Sequence, residues 1–400
     1  MTAIEEREVS LTPASDLLPR ITSRDLANFP LPNGREEVWR FTPLTAFARV
    51  LADEASVAPL GWEADLPVGV TLDEVPPGEE WLADLPLPVD RPAALAQAHA
   101  RTVLRLSVPA EAELSDPIVV RLFGAGGLAH GQLVVEVGAN ARATVVLQHE
   151  GSADYAEHTS VLVGDGAALE FVHVQTWADT AAHAGQVAVR LGRDARIRST
   201  QVSLGGAAIR LVETIEYAGP GGDAELIGVY FADSGQHIEH RLFVDHSVPS
   251  CRSNVLYKGA LQGASAHTVW VGDVLIRAAA TGTDTYELNR NLVLTEGARA
   301  DSVPNLEIET GQIEGAGHAS ATGRFDDEQL FYLMSRGVPE NVARRLVVRG
   351  FFADVITRIG VPSVEAALLA AVDAELGEID PQYDFSDAER AGADAPGAGA

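Results

Sequence analysis

The 400-residue chain has one cysteine, Cys251, two methionines, and only 6% aromatic residues. A single thiol excludes an intrachain disulfide and any metal cage built from this chain's cysteines alone. No run approaches the ~18 consecutive apolar residues of a membrane span. The opening MTAIEEREVSLTPASDLLPR is acidic and polar, without the basic and then apolar stretches of a secretion signal, so a cytoplasmic location is expected. Also missing are a P-loop, a Gly-x-Ser-x-Gly elbow, a His-Glu-x-x-His pair and a Cys-x-x-Cys pair. Their absence argues against ATP hydrolysis by this chain and against familiar serine or zinc mechanisms. Positive charge is scarce: 29 Lys and Arg stand against 57 Asp and Glu, a formal net charge of -28. Nucleic acid or an anionic membrane would require a basic patch that the sequence does not offer, and the acidity reads as a solubility device.

What the chain does have is short apolar runs, 46% hydrophobic residues in all. From about Thr102 they follow one another as TVLRLSV, IVVRLF, QLVVEV, ATVVLQH, TSVLVG, LEFVHVQ, QVAVRL, RIRSTQVSL and RLVETIEY. Each is rich in Val, Ile and Leu and is bounded by Gly, Asp or Asn, as strands are. A corner-like motif recurs among them: Gly138-Ala139-Asn140-Ala141, Gly164-Asp165-Gly166-Ala167, Gly192-Arg193-Asp194-Ala195, a looser copy ending at Ala224, and an echo at Glu296 to Ala300. A fixed period made of strands alone suggests a solenoid, in which each turn covers the apolar row and open edges of the last. An antiparallel sandwich is the other reading, disfavoured by the scarcity of two-residue Asn-Gly hairpins.

The flanks differ. Residues 1–100 read as a mixed N-terminal region, with helices expected over Leu17 to Phe29, Arg35 to Leu51 and Pro92 to Ala100. Between Pro59 and Pro92 the proline-rich sequence suggests irregular connections. The core is expected over 101–323. A helical domain is expected over 324–377, opened by Asp326 as cap, Gln329 at N3 and a Phe325–Leu330 staple. Gly337 closes its first helix and Pro339 begins the second. An apolar stripe of Val342, Leu346, Val347, Phe351, Val355 and Ile356 lies opposite Arg344, Arg345 and Arg349. Gly360 and Pro362 end that helix, and Ser363 to Leu376 forms a third. The acidic tail, 378–400, reads as disordered.

Histidine supplies the candidate chemistry. His237, His240 and His246 cluster in GQHIEHRLFVDH; three-His metal binding would need a bent segment, and a surface or turn role is the plainer reading. His318, in GAGHASATG before the helices, can approach a ligand closely among small residues. Cys251 sits beside Arg252, which lowers a thiol's pKa when close, although an uninvolved thiol fits as well.

Several ordered motifs together resemble the SufB/SufD family of iron–sulfur cluster scaffolds: VDHSVPSCRSNVLYKGAL, DSVPNLEIET and GHASATGRFDDEQLFYLMSRGVPENVARRL. EEVWRFTPL, Glu36 to Leu44, resembles a segment typical of the SufD branch. The resemblance implies a mainly β fold, a right-handed parallel β-helix between N- and C-terminal helical regions. It implies a scaffold without catalysis of its own, pairing with SufB along the β-helix and docking the ATPase SufC, which would use the ATP, through the C-terminal helices. Arg344, Arg345, Arg349 and Phe351 are what this chain would offer to SufC. Sulfur would come from a SufS/SufE- or SufU-type donor. The nascent iron–sulfur cluster would be shared with SufB, this chain alone holding no cofactor, and the resemblance leaves open a reduced flavin in the complex. The family's SufD histidine falls on His318 in the run Ala316 to Gly323. The cysteine two positions earlier in the family motif is Ala316 here, so no thiol role carries over. A homodimer in isolation, a purely structural partner and a carbohydrate-binding β-helix are the competing readings.

Overall fold

The computed structural model describes residues 20–376 apart from 57, 79 and 326. The expected Asp326 cap and the acidic tail lie outside these residues. The strands are β1 (Gly61–Asp65), β2 (Thr71–Val75), β3 (Val103–Val108), β4 (Ile118–Val137), β5 (Arg142–Val163), β6 (Ala168–Trp177), β7 (Ala182–Leu191) and β8 (Arg196–Leu204). They continue as β9 (Ala208–Tyr217), β10 (Asp223–Ala232), β11 (His237–His246), β12 (Arg252–Leu261), β13 (His267–Ile276), β14 (Asp284–Val293), β15 (Arg299–Ile308) and β16 (Gly315–Arg324). Helix α1 (Arg91–His99) precedes β3, and α2 (Asp327–Ser335), α3 (Glu340–Ile356) and α4 (Pro362–Glu375) follow β16.

From β5 onward the chain coils. Odd strands stack in the order β5, β7, β9, β11, β13, β15, and even strands in the order β5, β6, β8, β10, β12, β14, β16, all parallel. The fold is a parallel β-solenoid of about eight turns. Register partners such as Ala168 with Arg196, and Arg196 with Asp223, sit one coil apart. The recurring motif builds one corner of each coil. Asn140 and Asp194 there take left-handed φ of 58° and 55°, which small polar residues tolerate. The alanines that follow, Ala141, Ala167, Ala195 and Ala224, are fully buried.

Alternation along each strand separates two faces. One face fills the solenoid with Val, Leu and Ile. In this narrow lumen Tyr257 lies over Gly228 and Tyr230 over Gly259; a Cβ at either glycine would come within 2.0 Å of a ring atom. The outer face of the even sheet carries Val172, Val202, Val229 and Leu256, and the C-terminal helices cover it with Val348, Phe352, Val355 and Leu368. The outer face of the odd sheet is covered by the N-terminal segment through Trp39, Phe47, Val50 and Leu51.

Several expectations are corrected. The segment 35–51 is a chain of turns with one short 3-10 helix, Glu37–Trp39; Leu26–Asn28 is another such turn, within the stretch expected to be helical from Leu17. Pro43 contributes no N–H, and the turns close through three-residue bonds such as Ala46 N–H to Pro43 O. The proline-rich stretch contains β1, antiparallel to β4, and β2, antiparallel to β3. IVVRLF and QLVVEV are one bent strand, β4, with a register shift between Ala125 and Leu128. ATVVLQH and TSVLV likewise belong to β5. On α3 the buried stripe is Val342, Ala343, Arg345, Val348, Phe352, Val355 and Ile356; Leu346, Val347 and Phe351 are half-buried. No helix among the described residues is long and apolar enough to cross a membrane.

Candidate functional site

The last coil is built by β15 and β16, each paired on one side only among the described residues. Pro304 interrupts the donors of β15, as proline does on an edge strand. Side chains on both strands are largely half-buried or exposed, because no further turn among the described residues covers them.

His318 lies on β16, exposed, in register with Glu287 of β14. Register partners in parallel strands face the same way, so the imidazole follows Glu287 on the lumen side. Glu287 is buried at 1% exposure, and neither of its carboxylate oxygens has a hydrogen-bond partner among the described residues. Burial, with the charge of Asp273 adding, pushes its pKa up to about 8. Asn289 and Asn291 continue this face of β14. Asn289 Nδ2 donates to Tyr230 Oη at 2.9 Å, Tyr230 Oη to Asn291 Oδ1 at 2.6 Å, and Asn291 Nδ2 to Asn289 Oδ1 at 2.7 Å. The lumen thus turns polar at its open end, where one accessible imidazole stands.

The other histidine expectation is overturned in part. His237, His240 and His246 are all buried within β11, not at the surface or in a turn. They do not converge. His240 and His246 face the lumen, toward Ser203 (3.2 Å) and Ser253 (2.9 Å). His237 faces outward toward Glu239 and His267. Cys251 is fully buried at a coil corner, and burial pushes its thiol pKa up, away from reactivity.

On the C-terminal helices, Arg345 is buried and lies on the packed side, contrary to its expected place opposite the stripe. Arg345 and Arg349 reach Asp373 of α4 at 3.7 and 3.4 Å, and Arg344 pairs with Glu340 at 3.0 Å. Phe351 packs on the solenoid, where Lys258 Nζ donates to its carbonyl at 2.7 Å and also binds Asp354. Among the described residues of these helices, the exposed large apolar side chains are on α2 instead: Phe331, Tyr332 and Met334 are 73%, 57% and 42% exposed. Sequence reasoning did not single them out, although exposed aromatic and methionine side chains grouped on one helix are enriched at contact surfaces.

A second feature escaped the sequence reading. Inside the solenoid near its N-terminal end, His149 and Glu157 of β5, His173 of β6 and His183 of β7 meet, all at 1% exposure or less. They come from three strands, and the signal was present: folded on the repeat, His173 falls over Gln201 and His149 over Gln175, two adjacent polar columns at lumen positions.

Comparison with known proteins fits this geometry to a lineage. Residues 121–351 match the family "SUF system FeS cluster assembly, SufBD core domain". An iron–sulfur cluster assembly SufBD family protein of Mycobacterium tuberculosis is 50% identical over 366 residues, 88% of this chain and 91% of that protein. A Mycobacterium leprae protein of the same description is 48% identical over 386 residues, 94% and 97% of the two chains. The SufD of Escherichia coli is 24% identical over 293 residues, 70% of this chain and 69% of its own. The chain belongs to the SufBD family of iron–sulfur cluster assembly proteins and is SufD-like within it.

Proposed function

We propose that this chain is a non-catalytic scaffold subunit for building iron–sulfur clusters. Its open last coil pairs with a SufB-type solenoid, and its C-terminal helices dock a SufC-type ATPase. The observation that carries the reading is the uncovered terminal coil with His318 exposed on it. A solenoid needs a cap or a partner over its last turn, since unpaired edges and half-buried apolar groups otherwise face water. A second solenoid applied there would bring its own ligands to His318. The nascent cluster is cargo in this scheme, held by the His318 imidazole from this chain and by groups of the partner. Nucleotide-driven movement of the docked ATPases would be transmitted through α2–α4, which pack directly on the even sheet, and would open the shared interface.

The test is co-purification of the full chain with the SufB and SufC proteins of its host, followed by anaerobic cluster reconstitution, for wild type and His318→Ala. The expected result is an intact complex in both, with cluster yield lost in the variant. Equal yields would remove His318 from the chemistry and leave a purely structural scaffold. Failure of the complex to form would overturn the pairing itself.

A further inference from the structure

Two histidines on the outer face of the odd sheet carry a proton count that does not close with neutral rings. His237 of β11 and His267 of β13 are register partners, and their Nδ1 atoms lie 3.2 Å apart. A carboxylate stands on the far side of each ring. His237 Nε2 lies 3.3 Å from Glu239 Oε2, and His267 Nε2 lies 2.7 Å from Asp301 Oδ2 on β15. The file Glu239–His237–His267–Asp301 therefore has three contacts, and each needs one proton. Two neutral imidazoles supply two. If His237 Nδ1 donates to His267, its Nε2 turns a bare lone pair on Glu239. If His267 Nδ1 donates instead, the bare lone pair meets Asp301. If both Nε2 atoms carry the protons, two lone pairs face each other at 3.2 Å.

Neither carboxylate takes up the missing proton. Burial would raise both, but His237, Arg210 and Arg241 hold Glu239 well below the ordinary range, and Arg299 and His267 hold Asp301 low. Arg241 Nε donates to Glu239 Oε1, and Arg299 binds Asp301 at 2.8 Å. The other charges around the pair are Arg210 of β9, 3.4 Å from Glu239 and bound to Asp90 ahead of α1, and Arg20, which faces Arg241 and pairs with Asp273 at 3.5 Å. The proton thus belongs on the rings. Burial lowers the pKa of His267, and the charge of His237 lowers it further against the pull of Asp301. The extra proton is accordingly assigned to His237, which then donates from both nitrogens, to Glu239 and to His267.

The file ties separate parts of the chain together. At its inner end Thr42 Oγ1 donates to the same Glu239 Oε2 at 2.7 Å, and the Phe47 ring meets His237 edge-on, the centroids 6.4 Å apart. Thr42 and Phe47 belong to the N-terminal segment that covers the odd sheet. At its outer end Asp301 lies on β15, a strand of the last coil. We propose that His237 and His267 share one extra proton, and that this proton clasps the N-terminal segment and the last coil to the middle of the odd sheet. Its loss sets lone pairs against each other and loosens the ring that Glu239 and Phe47 hold. A proton bound more tightly in the closed state stabilises that state fully below the free imidazole value of about 6.5, and progressively less as pH rises to the pair's own value. The clasp therefore opens toward alkaline pH, the reverse of what a histidine buried neutral does. It uses none of the cluster chemistry proposed above.

The test is nitrogen-15 NMR of the histidine rings in the full chain as pH is raised, with and without EDTA, together with amide exchange of Ala46, Phe47 and Leu51, whose N–H groups close turns of the segment. The variant is His267→Gln. It removes the half-buried ring, identifies its signals, and leaves the nearby His99–Asp53 pair intact. In wild type one of the two rings should still carry both protons about one pH unit above the free imidazole value. The protection factors of the three amides should fall by up to about tenfold per pH unit between 6.5 and the pair's own value, and this fall should vanish in His267→Gln. Two neutral rings at that pH overturn the proposal. So do wild-type protection factors that stay level with pH, or that fall equally in the variant. A clasp that EDTA opens overturns it as well, since a metal ion and not a proton would then join the rings. If the variant does not fold, the wild-type ring spectra decide.

Discussion

Arg210 shows how single residues fasten the flanks to the solenoid. Its guanidinium binds Asp90 at 2.5 Å and faces Glu239 at 3.4 Å, with the Trp39 ring 4.0 Å away. Asp90 also caps α1 by accepting from Ala93 N–H, and Thr42 donates to Glu239 at 2.7 Å. Burial would raise the Glu239 carboxyl, but His237, Arg210 and Arg241 hold it well below the ordinary range. Removing one member leaves the others charged in a dry place, so Arg210→Ala should cost about 3–5 kcal/mol, read as a lower urea midpoint. Acid lability belongs to this scale too. Burial lowers the pKa of His158 and His240 to about 3 and that of His246 to about 4, from 6.5. Neutral burial stabilises the fold fully above pH 6.5, and the benefit is lost as the unfolded chain takes up protons below it. Each imidazole should cost about 1.4 kcal/mol per pH unit between 6.5 and its folded value. Urea titrations at several pH values check this, and His240→Gln should flatten the slope by one proton's worth. None of these burials was legible in the sequence, because histidine at a buried position, in the lumen or under a flank, looks the same on paper as histidine on a surface. His318 was singled out through the company of its motif, not through any physical signature of its own.

At the scale of elements, the repeat was the legible part. The alanines and left-handed corners recur because each coil must turn at the same place, and a recurring need leaves a recurring sequence. The N-terminal segment has no such periodicity. Its apolar residues are spaced by what they meet on β7, β9 and β11, which is why a helical reading of 35–51 failed. The one-position error on α3 has a similar cause: Val347 and Val348, like Phe351 and Phe352, are adjacent, and only the curved sheet beneath decides which of each pair is buried. Helix α2 has its own consequence. Phe331 and Met334 are exposed, so Phe331→Ser with Met334→Ser should leave the melting temperature within about 1 °C, exposed sites changing stability by about 0.5 kcal/mol or less. The same pair should abolish capture of the SufC-type ATPase in a pull-down. A large thermal loss would instead mean that these side chains pack at home.

For the whole molecule, two opposing features meet at β15 and β16. Their outer edges invite another strand, while a net charge of -28 repels a second copy. Self-association of the isolated chain should therefore strengthen with added salt, as screening shortens the reach of that repulsion to about 8 Å near physiological ionic strength. Sedimentation at low and high salt measures it, and an association that weakens with salt would point to charge pairing across the interface. The strands of the last coil should also exchange their amide protons before those of β7 and β9, and slow down when a partner binds. The uncovered turn thus gives the protein a direction of wear. A copy that meets no partner offers its least protected coil to proteases first, and the level of this subunit in the cell would follow the supply of whatever covers that end.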